Sequence, residues 1–287
     1  MTGSAAAGVA EGVRRRPAPL LTPYVRRYEA YRLEGFPPGV HLGMPAPEIT
    51  VVVGISRPVE LSRGEGRPPD RFDTLAGGLS TWPVPIVHDG NQHGIQLSLT
   101  PAGARTLLGV PAAALGSWVV DLEDLLGAIG RELSDGITTA PDWETRFELL
   151  DRILTRRLAS APRPEPEPEL TRAWHLLVCD PTRPVQEVAD DIGWSRRYLA
   201  KKAVAEFGLS PKDLARLSRF DRSRRLLRAQ PHRWLADVAA TCGFYDQAHL
   251  AREWRDLGGL PPSRWLAEEV FPFVQDVDGV GGEHWES

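Results

Sequence analysis

The chain of 287 residues has the length of about two domains of ordinary size. Hydrophobic residues make up 42% of it, which excludes a chain that is disordered throughout, and no apolar run is long enough to predict a membrane span. The net charge of −4 conceals a basic segment: residues 194–233 hold 12 basic and 3 acidic groups, a pattern that indicates a surface for a polyanion.

The N-terminal segment, residues 1–19, combines small residues with three consecutive arginines and lacks the apolar run of a signal peptide, so we expect a disordered tail. Residues 20–159 are rich in proline, glycine and short β-branched runs. They predict a β-rich domain of the small-barrel, cupin-like type. Its predicted strands cover residues 48–55, 58–61, 82–87 and 94–99.

Three helices are predicted in the rest of this half. A short helix over residues 100–109 has Thr100 as its N-cap, and a second helix covers residues 119–133. The third, residues 142–158 with Asp142 as its N-cap, carries an apolar stripe at helical spacing. The stripe consists of Trp143, Phe147, Leu150, Leu154 and Leu158. It either packs on its own domain or forms a dimerisation surface, which would make the protein a homodimer.

Residues 160–169 alternate proline with glutamate and predict an extended, semi-rigid linker, because proline lacks the amide that a helix or a central strand requires. Residues 170–270 show no convincing strand pattern and predict an all-α domain. Residues 271–287 form an acidic tail. The predicted fold class is therefore α+β, with a β-rich domain followed by a helical one.

The helical region contains an internal repeat, since residues 185–211 resemble residues 235–262. In both copies an apolar pair one helical turn apart is followed by a glycine, Gly193 or Gly243, and then by a polar N-cap residue. A helix, a glycine turn and a second helix make up a helix-turn-helix unit. One such pattern is weak evidence, but its repetition predicts two units.

A long helix over residues 210–230 is predicted between the units, with Ser210 as its N-cap. A helix of this length would hold the two units at a fixed separation. Its apolar residues are expected inside and its basic residues mostly outside. The basic residues are Lys212, Arg216, Arg219, Arg222, Arg224, Arg225 and Arg228.

The second helix of each unit is predicted to read DNA, because the first turns of such a helix present side chains to base edges in the major groove. Arginine and lysine pair with guanine, and glutamine pairs with adenine. The predicted base contacts are Arg196, Arg197, Ala200, Lys201, Gln247, Ala248, His249 and Arg252. The predicted phosphate contacts, which give affinity without sequence information, are Lys202, Lys212, Arg224, Arg228 and Arg233.

Other roles stay open for some of these side chains. Part of the basic helix, Arg224 included, either faces DNA or forms a solvated surface that pairs with nearby acids. His249 either reads a base or is a surface group without a role, and Tyr198 is expected to pack rather than to read bases. The tryptophans expected in the core are Trp194, Trp234 and Trp254.

Residues 171–267 resemble the tandem helix-turn-helix domain of AraC/XylS-type transcription regulators. The resemblance rests on VADDIGWSRRYLAKKAVAEFGLSPKDL and, more specifically, on LADVAATCGFYDQAHLAREWRDLGGLPPSRW. It implies that the outward residues of both recognition helices contact DNA, namely Arg197, Ala200, Lys201, Gln247, Ala248 and Arg252. More loosely, residues 88–111 and 119–127 are similar to the N-terminal sensor domains of actinobacterial members, which implies effector sensing or dimerisation there.

The expected function is sequence-specific DNA binding in transcription regulation, with double-stranded DNA as the partner and two recognition helices in successive major grooves. A small-molecule effector or dimerisation through the first half would control it, and RNA polymerase would be a further partner of an activator. The alternative is a cupin-like enzyme or metal-binding domain fused to the DNA-binding module, for which His41, His88 and His93 are the candidate ligands.

Neither phosphate-binding, dinucleotide-binding nor nucleophile-elbow motifs occur, so we expect no enzyme, no metal and no cofactor. Both cysteines, Cys179 and Cys242, lie in the second half, which excludes a cysteine-dependent repair enzyme in the first. Two cysteines are also too few for a disulfide framework, and the expected location is the reducing cytoplasm, without a membrane partner.

Overall fold

The computed structural model of the protein describes residues 8–64, 66–116, 118–160 and 166–268. The predicted acidic tail and the centre of the predicted linker, residues 161–165, lie outside the described residues. The first half is β-rich and the second half is helical where it is described, which confirms the predicted α+β class. The strands are β1 (Val9–Arg15), β2 (Val25–Glu34), β3 (Gly39–Gly43), β4 (Ile49–Gly54), β5 (Val59–Leu61), β6 (Asp70–Phe72), β7 (Thr74–Gly77), β8 (Val84–His88), β9 (Gln92–Leu99) and β10 (Val119–Asp121).

The strands form two antiparallel sheets. The larger sheet has the order β1-β2-β9-β4-β7-β10, and the smaller one has the order β3-β8-β5-β6. The four predicted strands correspond to β4, β5, β8 and β9. These strands carry the β-branched or alternating runs that local sequence makes visible, whereas the short strands β6, β7 and β10 depend on pairing with distant neighbours.

The N-terminal segment is part of the larger sheet. β1 pairs with β2 in antiparallel register along its whole length, and Arg14 Nε donates to the buried carboxylate of Glu29 at 3.0 Å. The predicted disordered tail over residues 1–19 is therefore wrong for residues 9–15, because pairing with β2 supplies the order that composition alone does not indicate. Residues 1–7 lie outside the described residues.

The helices of the first half are α1 (Pro101–Gly103), which continues as a π-helical turn over Ala104–Leu108, α2 (Leu122–Leu126), α3 (Ala128–Thr139) and α4 (Trp143–Ser160). The predicted N-caps are confirmed: Thr100 Oγ1 and Asp142 Oδ1 each accept a hydrogen bond from the amide three residues later, at 3.0 and 2.8 Å. The single helix predicted over residues 119–133 is wrong. Residues 119–121 join the sheet as β10, and the helix breaks at Gly127.

The apolar stripe of α4 packs inside the chain. Phe147, Leu150 and Leu154 are at most 5% exposed, and Phe147 stacks on Tyr28 of β2 with the ring centroids 5.9 Å apart. Trp143 and Leu158 are half-buried against the same core. The alternative that the stripe packs on its own domain is thus correct. The dimerisation surface predicted from Trp143, Phe147, Leu150, Leu154 and Leu158 is wrong for its centre, because Phe147, Leu150 and Leu154 are already covered within one chain.

The second half has the predicted repeat. Its helices are α5 (Pro168–Cys179), α6 (Val185–Asp191), α7 (Arg196–Phe207), α8 (Pro211–Ala229), α9 (Leu235–Cys242), α10 (Gln247–Gly258) and α11 (Pro262–Glu268). The first helix-turn-helix unit consists of α6 and α7, the second consists of α9 and α10, and α8 lies between them. Among the helices described, none has the length and the apolar character that crossing a membrane requires.

The two halves pack against each other. Leu107 of the first half belongs to the same cluster of buried residues as Trp174 and Phe207 of the second. Met44, directly after β3, belongs to a second cluster with Trp254 of α10. The halves are therefore not held apart in the way that the predicted semi-rigid linker implied, since burial of apolar surface favours direct contact.

Candidate nucleic-acid interface

Each helix-turn-helix unit depends on a glycine turn and a capped second helix. Gly193 (φ 75°) and Gly243 (φ 81°) have the left-handed conformation that other residues rarely adopt. Ser195 Oγ then accepts a hydrogen bond from the amide three residues later at 3.2 Å, and Asp246 Oδ1 accepts the equivalent bond at 2.6 Å. These caps order the N-terminal turns of α7 and α10, which are the turns that a major groove would receive.

Most side chains predicted to contact bases lie on the solvent-facing sides of α7 and α10. The exposed ones are Arg196, Arg197, Lys201, Gln247, Ala248 and Arg252. Ala200 is half-buried. The opposite sides of the two helices bury Leu199 and Leu250 completely. Because burial fixes which way each helix faces, both helices present side chains that can pair with base edges.

His249 is the exception, because the fold uses both of its ring nitrogens. Nδ1 accepts a hydrogen bond from the amide of Tyr245 at 3.2 Å, and Nε2 lies 3.3 Å from Oε1 of Glu253. The ring also packs edge-on against Phe244, with the centroids 5.6 Å apart. His249 therefore supports the turn that precedes α10 instead of presenting its nitrogens to a base.

Arg224 lies inside the protein, so the prediction that it contacts a phosphate is wrong. Its side chain is 2% exposed, and Nη2 donates to Oδ1 of Asp221 at 3.0 Å. The neighbouring Arg225 is 62% exposed and lies 2.7 Å from the other oxygen of the same carboxylate. The paired acid makes burial of the guanidinium tolerable, since an uncompensated charge in the interior is strongly unfavourable.

Of the other predicted phosphate contacts, Lys202, Arg228 and Arg233 are half-buried and have partners within the chain, and Nε and Nη2 of Arg228 are buried. Lys202 forms an ion pair with a glutamate just before α5, and this hydrogen bond raises the pKa of the lysine. Arg228 lies over the ring of Trp265 at 4.6 Å from its centroid. Arg233 donates to two polar side chains at 3.0 and 3.1 Å. Lys212 is exposed in the first turn of α8.

Two aromatic side chains beside the second unit are exposed. Trp234, the N-cap residue of α9, is 80% exposed, and Tyr245, which precedes the N-cap of α10, is 93% exposed. The core position predicted for Trp234 is therefore wrong, while Trp254 is fully buried as predicted and Trp194 is half-buried. Its exposure could have been predicted from its place in the sequence, because Trp234 stands at a helix terminus, outside the periodic apolar pattern that fills the core.

The β-rich half contains a cavity of about 510 Å³. The buried Tyr31 and a group of polar side chains line it, and this volume lies within the range of small-molecule sites. The polar side chains include Arg57, Glu60, Arg71, His88, Gln92 and His93. Because most of the lining is polar, the cavity suits a polar small molecule rather than an apolar one.

The three histidines considered as metal ligands have different surroundings. His41 is buried, and burial together with the nearby His88 lowers the pKa of His41 to about 3, so that its ring is neutral at ordinary pH. His93 packs edge-on against Trp143, with the centroids 5.2 Å apart. Within the described ranges, no three histidine, cysteine, aspartate or glutamate side chains come together as they would around a metal ion.

Residues 188–268 match the helix-turn-helix domain family. Solved structures with similarity to the chain include ToxT from Vibrio cholerae, which is 11% identical with a TM-score of 0.48 over 91% of this chain and 97% of that one. Another is an AraC-type DNA-binding domain-containing regulator from Chromobacterium violaceum, 24% identical with a TM-score of 0.32 over 36% of this chain and 95% of that one. No curated protein sequence matches the chain.

The family match begins at Val188 in the first unit and ends at Glu268 in α11. It therefore takes in both glycine turns, both recognition helices and the helix α8 between them. The repeated glycine turn and the repeated N-cap show the same arrangement in the structure. Residues 188–268 are therefore a helix-turn-helix domain, as the resemblance to AraC/XylS-type regulators implied.

Proposed function

We propose that the chain is a sequence-specific DNA-binding transcription regulator in which α7 and α10 read successive major grooves. The repeated unit carries this proposal: each recognition helix follows a glycine turn, has a capped N-terminus and exposes polar side chains there. Arg197 does so on the first helix, and Gln247 and Arg252 do so on the second. Two such helices joined by one long helix suit grooves that recur about every 34 Å along a duplex.

The charge distribution supports the same conclusion. The chain as a whole is acidic, yet residues 194–233 hold 12 basic and 3 acidic groups. Part of that charge is neutralised inside the protein, as at Arg224, but Arg196, Arg197 and Lys201 stay exposed on α7. Basic groups beside a recognition helix attract the phosphate backbone and supply affinity that depends on salt.

We assign control of the DNA-binding half to a small polar effector in the cavity of the β-rich half. Arg57 and Arg71 of the lining pair with Asp89 and Glu60 of the same lining. The site therefore presents both charges and suits a small ligand that carries hydrogen-bond donors as well as acceptors. A regulator of this kind works beside DNA in the cytoplasm and contacts RNA polymerase where it activates a promoter. A second copy of the chain would need a surface other than the buried stripe of α4.

Alanine at Gln247 or at Arg252 should weaken binding to the correct site while leaving binding to random DNA nearly unchanged. Each lost base contact should cost about 1–3 kcal/mol, because an unpaired base edge replaces a hydrogen-bonded one. The correct site is first obtained by selection from duplexes with a randomised centre. Fluorescence anisotropy then gives the affinity of each variant for the selected duplex and for the unselected pool.

Arg255 provides the control, because it is exposed on α10 near the C-terminal end and carries the same charge as Arg252. Its change to alanine should leave the ratio of the two affinities unaltered. If the Gln247 and Arg252 variants lose affinity for both kinds of duplex equally, these side chains contact phosphates and the assignment of base contacts is wrong. A chain that selects no sequence at all would contradict the proposed function.

A further inference from the structure

A bidentate ion pair connects the C-terminal end of α7 to the β-rich half. Arg105, in the π-helical turn after α1, donates from Nε and Nη2 to the two carboxylate oxygens of Glu206 at 2.6 and 2.5 Å. The side chain of Glu206 is 6% exposed and that of Arg105 is 31% exposed. Next to this pair the backbone of Gly208 approaches Ala113, since a Cβ at Gly208 would lie 3.3 Å from the Cα of Ala113.

The C-terminal end of α10 meets the β-rich half in a similar way. A Cβ at Gly258 would lie 3.4 Å from Sδ of Met44, and one at Gly259 would lie 3.6 Å from Cγ of Pro83. Met44 is 6% exposed and belongs to the same buried cluster as Trp254. The β-rich half therefore reaches into the core of the second unit.

These two contacts occupy equivalent positions of the internal repeat. Gly208 and Gly259 are the C-cap residues directly after α7 and α10, and they correspond to each other in the repeat. Both contacts lie at the end opposite to the predicted base contacts, because a helix of 12 residues is about 18 Å long. Arg197 at the other end of α7 stays exposed, so the contacts with the β-rich half do not cover the side chains that are predicted to read DNA.

We propose that the β-rich half sets the spacing and angle between the two recognition helices, with Arg105 and Met44 as positioning residues that never touch DNA. This inference rests on the proposed function. α8 joins the two units along the chain and packs on both recognition helices, as where Arg216 of α8 pairs with Glu253 of α10 at 2.9 Å. The β-rich half adds a second support at the far end of each recognition helix, which restrains the angle of that helix further. The β-rich half would then determine which distance between two half-sites the protein accepts.

The test uses the full chain. A binding site is first selected from a pool of duplexes with about 30 randomised base pairs. One or two base pairs are then inserted or deleted between the two half-sites of the selected duplex. The wild-type chain should bind the altered duplexes about tenfold or more weakly than the selected one, a coupling within the usual range. Arg105→Gln breaks the ion pair while keeping a polar side chain. It should reduce that discrimination to about threefold or less.

Arg131→Gln is the matched control, because it breaks another arginine–glutamate pair of the β-rich half, with Glu123, that lies at the surface. Its affinity for the altered duplexes should fall relative to the selected duplex by the same factor as that of the wild-type chain. If Arg105→Gln does not fold, Met44→Ala truncates the positioning residue at the second helix, and the same duplexes decide the question: a full spacing preference in this variant overturns the positioning role.

The outcomes separate this inference from the proposed function. A wild-type chain that selects no sequence overturns both. A wild-type chain that selects a site, with an Arg105→Gln variant that keeps the full spacing preference, overturns only the positioning role. A variant that binds every duplex more tightly than the wild type also overturns it, because the contact would then restrain DNA binding instead of organising it. Only loss of the spacing preference, with the control unchanged, supports it.

Discussion

Alanine at Trp254 is expected to lower the free energy of unfolding by about 3–5 kcal/mol, the usual cost of removing a large aromatic side chain from a core. The ring is fully buried in α10 and lies 4.9 Å from the ring of Phe220 and 5.0 Å from that of Trp265, measured between centroids. Its Nε1 also donates to Oγ of Ser223 at 2.9 Å. The substitution removes these contacts at once and leaves a cavity between α8, α10 and α11.

Urea unfolding followed by far-ultraviolet circular dichroism measures this loss, since that signal does not depend on the tryptophan itself. Trp234→Ala is the matched control: the same side chain is removed where it is 80% exposed, and the change should stay within about 0.5 kcal/mol. Equal effects of the two substitutions would mean that the described packing of the second unit is wrong.

Alanine at Asp221 is expected to cost about 3–5 kcal/mol as well, because it leaves the buried guanidinium of Arg224 without this carboxylate. The two side chains are 7% and 2% exposed, and their contact measures 3.0 Å. Water cannot readily replace the lost partner at that depth. The effect should therefore exceed what an ordinary surface ion pair contributes.

Arg225→Ala gives the comparison, since Arg225 contacts the same carboxylate from a side chain that is 62% exposed. Thermal or urea unfolding of this variant should show a loss of about 1 kcal/mol or less. A small loss for Asp221→Ala, close to that of Arg225→Ala, would show that Arg224 is solvated and would restore it as a candidate phosphate contact.

Features with a local cause could be predicted from the sequence. Five predicted N-caps accept the amide hydrogen bond three residues later, because capping involves residues that are close along the chain. These caps are Thr100, Asp142, Ser195, Ser210 and Asp246. The glycine turns could also be predicted, because their cause is local. So could the outward side chains of α7 and α10, whose direction follows from helical periodicity.

Features that depend on distant contacts could not be predicted. β1 shows no clear strand pattern, and its partner β2 supplies the order. Arg224 looked exposed because α8 is rich in arginine, but α8 contacts α5, α7, α9, α10 and α11, so few of its faces reach solvent. His249 fits a base contact by spacing, and only the positions of Tyr245 and Glu253 show that its nitrogens are engaged.

Hydroxyl-radical footprinting of the selected duplex shows whether the two recognition helices read one DNA molecule. The wild-type chain should protect two patches on one face of the duplex, about 10 base pairs apart, and Arg197→Ala should weaken one patch while Arg252→Ala weakens the other. A single protected patch, or two variants that weaken the same patch, would contradict the proposal that both helices do so.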